Sequence, residues 1–207
     1  MFPPLAVALA TAALVLTGCV SGDVTQTTSS LGSLANSYAA GAKTMQLGGH
    51  AFAPPAFYAF CKLERRLCGT TGSTRTVTLT PERMKELKAV NLSVNRRITE
   101  QHDIVSTGKE DVWNLPTSVG DCEDFAILKK HELMKRGWPA SALLLTVVTS
   151  MGEGHVLLTV RTDQGDMVLD NKTNQIRNWS RTSYRYFARQ SQTRHGKWDR
   201  IAGARAA

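Results

Sequence analysis

The stretch from Gly120 to Asp170 constrains the fold more than any other part of the chain. Asp121-Cys122-Glu123-Asp124 supplies acidic residues suited to a helix start, and the segment they open runs through Met134 before Gly137 and Pro139 close it. Residues 143–148, 156–160 and 167–169 then form short apolar runs rich in β-branched side chains, separated by Met151-Gly152-Glu153-Gly154 and Asp163-Gln164-Gly165. Such runs joined by tight turns predict an antiparallel meander. A helix packed on that meander makes the chain α+β, with a cysteine at the helix start.

Upstream, Thr80-Pro81 pairs a good cap with proline at the first helical position, and Met84, Leu87, Val94 and Ile98 share roughly one face of a helix running toward His102. A loop holding Trp113, Pro116 and Gly120 links the two helices. At 207 residues, 42% hydrophobic and 20% charged, the chain suits one soluble domain with a tail. Fibrous, wholly disordered and multi-span membrane architectures are excluded. A formal charge of +8 favours anionic surfaces without naming one.

The amino terminus bears on compartment. Residues 5–17 are an uncharged apolar run, long enough for a signal-peptide core and short of the roughly 20 residues a spanning helix needs. The run ends in Leu16-Thr17-Gly18-Cys19, which resembles the bacterial lipobox, so residues 1–18 read as a signal peptide and Cys19 as a lipidated first mature residue. Such signals ordinarily open with Lys or Arg, whereas the first basic residue here is Lys43. Residues 19–50 are rich in Ser, Thr, Gly and Ala and read as a tether, leaving 51–207 as the folded domain. Cys61 and Cys68 follow an aromatic cluster and, in an oxidising compartment, are expected to form a loop-closing disulfide. Cys122 is then the thiol left over, which marks it as reactive.

Free N–H groups and the dipole at a helix start stabilise a thiolate, the nucleophilic form of cysteine. Asp121, Glu123 and Asp124 oppose this by raising the thiol pKa, unless a hard cation such as Ca²⁺ neutralises them. A cysteine nucleophile also needs a base and a group that orients the base. His155 and Asp170 are the candidates. If the turn is centred at Asp163 and Gln164, cross-strand partners have numbers summing to about 327, and Asp170 falls opposite Leu157, one same-face step from His155. A slip of one residue would put the two on opposite faces.

The segments GDCEDFAILKKHELMKRGWP, GHVLLTV and VLDN, with the earlier FCKLERRLC and LSVNRRI, closely resemble the bacterial transglutaminase-like cysteine peptidases, which include periplasmic proteases that clip surface adhesins. The resemblance spans roughly residues 54–198. It implies a papain/transglutaminase-like fold, with Cys122 as nucleophile, His155 as general base and later acid, and Asp170 as the orienting group. It also implies calcium ligation by Asp121 and Glu123. Phe125 stands where a tyrosine is common. The implied reaction is acyl transfer through a thioester, resolved by water in a protease or amidase and by an amine in a transglutaminase. Trp113 would either donate its indole N–H to the oxyanion or wall the cleft. The expected partners are a protein substrate in the cell envelope, a membrane tether through Cys19 and an inner-membrane regulator.

Other signals are weaker. His131-Glu132 begins a zinc-protease pattern, but Lys135 occupies the place of the second histidine. Gly152 and Gly154 make a turn and no phosphate loop. Arg177, Arg181, Arg185 and Arg189 recur every four residues and would line one face if that segment were helical. Such a stripe supports a rival class, a non-catalytic envelope-binding lipoprotein. Nucleic acid is not an expected partner of an exported protein.

Overall fold

The computed structural model describes residues 44–109 and 111–203, so the signal peptide, Cys19 and the tether as far as residue 43 lie outside the described residues. The chain opens with β1 (Leu47–Ala51), α1 (Pro55–Leu63) and α2 (Arg65–Cys68), then the long α3 (Pro81–Arg97). β2 (Thr99–Glu100), α4 (Asp103–Ser106) and β3 (Val119–Gly120) lead into α5 (Cys122–Lys135). The remainder is β4 (Leu143–Ser150), β5 (Glu153–Thr162), β6 (Gly165–Leu169), β7 (Arg177–Asn178), β8 (Arg185–Gln190) and β9 (Trp198–Ile201).

Seven of these strands form one antiparallel sheet in the order β1-β9-β8-β4-β5-β6-β7, and β2 and β3 form a separate parallel pair. The β5–β6 hairpin has the expected register: Thr162 faces Gly165, Val160 faces Met167 and Leu158 faces Leu169. Thr162 Oγ1 donates to the Gly165 carbonyl at 2.6 Å and closes the turn, which fixes the pairing behind it. The folded region reaches back past residue 51: Met45 is buried, and its N–H donates to the fully buried Asp166 carboxylate at 2.7 Å.

α3 starts as its cap predicts, with Thr80 Oγ1 accepting from the Arg83 N–H at 3.3 Å, and ends at Arg97, one residue before Ile98 turns extended toward β2. α5 packs on β4 and β5 and is also contacted by α3. The main core lies between these helices and the sheet, where Leu87, Ile127, Leu133, Leu143, Leu145 and Leu158 are fully buried. A second cluster covers the sheet's other face and contains Met45, Val148, Leu157, Val168, Tyr186 and Ile201. Because β4 and β5 are covered on both sides, their central stretches are apolar on both faces, interrupted by Thr146 and Thr159, whose hydroxyls pair at 2.7 Å. Cys61 and Cys68 form the expected disulfide, with Cα atoms 5.6 Å apart, and tie the end of α1 to the end of α2.

One expectation is corrected and another is narrowed. The arginine spacing does not mark a helix: Arg177 lies in β7, Arg181 in a 3-10 turn, and Arg185 and Arg189 in β8, where Arg189 is buried. The four residues therefore form no helical stripe. Trp113 is a core residue, its indole N–H held by Asp111 Oδ1 at 2.9 Å and its ring edge-on to Phe57 and Trp198. That N–H is already committed, so of the two expected roles the contacts support packing.

Lys129 and Lys130 are fully buried on α5, and burial pulls both ammonium groups down to about 7. Lys130 Nζ donates to Gln190 Oε1 at 2.9 Å, and the same oxygen accepts from the Leu145 N–H at 3.0 Å. A lysine whose folded pKa lies below its unfolded value of 10.5 penalises folding fully at and below about pH 7, and the penalty lifts as pH rises from about 7 toward 10.5. Lys130→Met should therefore be more stable than the native chain near neutral pH, by about 1–3 kcal/mol, with Gln190 still held by Leu145. In thermal melts this advantage should shrink toward pH 10. An advantage independent of pH, or a less stable variant at pH 7, would contradict the assignment.

Candidate active site

The loop before α5 is built around Gly120. A Cβ placed there would sit 2.7 Å from Asp124 Oδ2 and 2.8 Å from Asp124 Cβ, so a larger residue displaces Asp124. Asp124 Oδ1 in turn accepts the Asn114 N–H at 2.7 Å, and the Gly120 carbonyl accepts the Gln101 N–H at 2.9 Å. The Gly-Asp-Cys-Glu-Asp block thus has a structural reason besides a chemical one. Glycine and the second aspartate clamp the loop that delivers Cys122 to the first position of α5.

The half-buried Cys122 Sγ accepts the Val156 N–H at 3.4 Å and lies 3.2 Å from Glu123 Oε2, to which its S–H donates. α5 therefore meets β5 one residue past His155. That histidine is buried, and its Nε2 is 2.8 Å from Oδ1 of the equally buried Asp170, just beyond the end of β6. An ionised carboxylate only accepts, so the hydrogen-bond network assigns the ring hydrogen to Nε2 and leaves Nδ1 as the acceptor. Asp170 is held from further directions. The Lys172 N–H donates to Oδ1 at 3.3 Å, the Tyr184 hydroxyl donates to Oδ2, and Asn95 Nδ2 donates to the main-chain carbonyl at 2.9 Å. Burial pushes the Asp170 carboxyl up, but the hydrogen bonds from His155 and Tyr184 outweigh it and the group lies below its ordinary range. It remains ionised at neutral pH.

The surroundings of Cys122 have the opposite character. Burial, and then the charge of Glu123, push the Cys122 thiol well above its ordinary range. Burial pushes Asp124 up to about 7, and Asp121 and Glu123 are also raised, first by burial. Asp103, from α4, joins them. Carboxylate oxygens of Asp103, Asp121 and Asp124 lie within 4.8 Å of one another, as do those of Asp103, Asp111 and Glu123. Oδ1 of Asp103 and Oδ1 of Asp121 are buried without a hydrogen-bond partner. Buried carboxylate oxygens without donors, crowded on one another, are the donor set a hard divalent cation takes.

The structure thus brings Cys122, His155 and Asp170 to one place where α5 meets the sheet. It puts Asp121 and Glu123 among the crowded carboxylates, in separate groups that share Asp103. Sequence reading missed Asp103 and Tyr184 as members of this site. Neither carries a local signal: Asp103 reads as a helix-start acid, and Tyr184 as an aromatic among arginines.

Residues 47–206 match the family described as bacterial transglutaminase-like cysteine proteinase. Among curated proteins none matches. Among solved structures, LapG of Legionella pneumophila is 24% identical over 64% of this chain and 71% of that chain, with a TM-score of 0.46. Its calcium-bound form is 21% identical over 86% of this chain and 90% of that chain, with a TM-score of 0.49.

Gly120→Ala should lower stability by about 1–3 kcal/mol, because Asp124 must leave both Gly120 and Asn114 to admit the methyl group. Gly154→Ala, whose Cβ meets nothing within 4 Å, serves as the control and should leave the melting temperature unchanged. Equal melting temperatures for the two variants would show that the clamp is not tight.

Proposed function

The chain belongs to the bacterial transglutaminase-like cysteine proteinases and is a cysteine peptidase, and on that premise we propose that Cys122, His155 and Asp170 carry its chemistry, on an exported protein that cleaves a substrate of the cell envelope. The observation that carries the reading is the buried His155–Asp170 pair at 2.8 Å beside a sulfur seated on the Val156 N–H.

Nδ1 of His155 takes the thiol proton as Cys122 Sγ attacks the scissile carbonyl carbon, forming the C–S bond and moving the π electrons onto oxygen. The Cys122 N–H, at a helix position with no intrahelical partner, faces the resulting oxyanion. Collapse expels the leaving amine, which takes the proton from imidazolium and leaves a thioester. Water then attacks, giving a proton to His155 and returning the sulfur. Asp170 keeps the ring in the tautomer that presents Nδ1 and stabilises the imidazolium.

The fit of a cation rests on the orphaned oxygens of Asp103 and Asp121. Asp103, Asp121 and Asp124, with Asp111 and Glu123 alongside, would hold Ca²⁺, and its charge would offset the acids that hold the Cys122 thiol protonated. Among the described residues no helix is long and apolar enough to cross a membrane. Export by residues 1–18, lipidation of Cys19 and an inner-membrane regulator remain part of the proposal. The envelope-binding alternative loses the helical arginine stripe on which it rested.

Amino-terminal labelling of cell-envelope proteins incubated with the native chain should reveal new termini that Cys122→Ala does not produce. Equal termini from both would overturn the protease reading, while incorporation of an added primary amine into protein would favour the transglutaminase outcome. Calcium should raise the melting temperature by several degrees, and Asp103→Asn should abolish most of that rise. An unshifted melt in saturating calcium would remove the metal from the account.

A further inference from the structure

Asp170 has two carboxylate oxygens, and they are divided. Oδ1 faces His155 Nε2 at 2.8 Å, while Oδ2 accepts from the hydroxyl of Tyr184. The Tyr184 ring also lies beside the imidazole, with centroids 5.6 Å apart and planes tilted by 41°. Tyr184 comes from the segment between a 3-10 turn (Trp179–Arg181) and β8, a different part of the sheet from the hairpin that supplies His155 and Asp170. Its ring packs against the second apolar cluster, and the turn before it is tied down by Thr182 Oγ1, which donates to the Trp179 carbonyl at 2.8 Å and lies 3.0 Å from the Tyr186 hydroxyl.

We propose that Tyr184 is a positioning residue of this site, a fourth member that locks the Asp170 carboxylate in rotation and thereby sets the plane and tautomer of His155. The proposal rests on the triad reading above. A carboxylate held only through Oδ1 turns about its Cβ–Cγ bond and tilts the ring that follows it. Pinning the second oxygen from the segment that leads into β8 removes that freedom, and a hydrogen bond to an ionised carboxylate is among the stronger kinds. Burial, the hydrogen bond to Asp170 and the Asp170 charge raise the phenol above its ordinary range, so it is a donor at neutral pH. A small recess of about 70 Å³ lined by Asp170, Thr182, Tyr184 and Arg177 lies beside the contact. Loss of the hydroxyl would let solvent in that recess reach Oδ2, so the carboxylate would stay solvated but lose its fixed orientation.

The test compares the native chain with Tyr184→Phe, Asp170→Asn and His155→Ala. Two quantities are read: the rate of Cys122 alkylation by iodoacetamide near neutral pH, and the nitrogen-15 signals of the His155 ring. Tyr184→Phe keeps the ring packing and should fold as the native chain does. It should slow alkylation about tenfold and move His155 from one tautomer toward a mixture, which a merely structural tyrosine would not do. Native rate and native ring signals in Tyr184→Phe, with both altered in Asp170→Asn, would overturn the role of Tyr184 and leave the triad standing. Native rates in His155→Ala and Asp170→Asn as well would overturn the triad reading and the proposal with it. Independently of that variant, the Tyr184 hydroxyl proton in the native chain should give a slowly exchanging downfield resonance that Asp170→Ala abolishes. Its absence from the native spectrum would also overturn the proposal.

Discussion

The pairing of β5 with β6 is the constraint on which the site depends. Side chains alternate across a strand, so a slip of one residue would send Asp170 to the face opposite His155. The turn at Asp163 and Gln164 prevents the slip, since Thr162 is committed to Gly165 on one side and its hydroxyl also accepts the Gln164 N–H at 3.2 Å. The apolar pairs behind it, Val160 with Met167 and Leu158 with Leu169, make any other register expensive. α5 then lies on β5 and brings Cys122 to the backbone beside His155. Fold and site are thus specified by the same contacts.

The two halves of the site differ in electrostatic state. On the sheet side every charge has its partner: Asp170 is ionised, surrounded by donors, and holds the imidazole. On the helix side several carboxylates crowd a half-buried thiol, and two of their oxygens meet no donor. Such a cluster is costly when fully ionised and becomes favourable once a divalent charge enters it. A site divided in this way sets a hydrogen-bonded histidine beside a thiol whose proton affinity is governed by burial and by the charge of its neighbours.

Much of this was legible in the sequence where the governing interactions are local. The helix start at Cys122 follows from its flanking acids and the later Gly137, the register from a short turn, and the Cys61–Cys68 bridge from two nearby cysteines in a chain expected to be exported. What the sequence could not disclose depends on contacts between distant segments. Asp103 reaches the acidic cluster from α4 through a loop whose path no periodicity records, and Tyr184 reaches Asp170 from the lead into β8. The arginine spacing misled because a four-residue recurrence is a helical signal only where a helix exists, and here two strands and a turn interrupt it. Trp113 left two roles open in the sequence, because aromatic residues near a reactive cysteine serve packing as readily as chemistry, and its contacts are those of packing.

The central claim is that Cys122 sulfur becomes acylated with His155 as its base. Brief exposure to p-nitrophenyl acetate, acid quenching and peptide mapping by mass spectrometry tests it without knowledge of the natural substrate. The account predicts an acetyl group on Cys122, labile to hydroxylamine and absent from His155→Ala. Acetyl groups confined to other side chains, with Cys122 unmodified in the native chain, would contradict it.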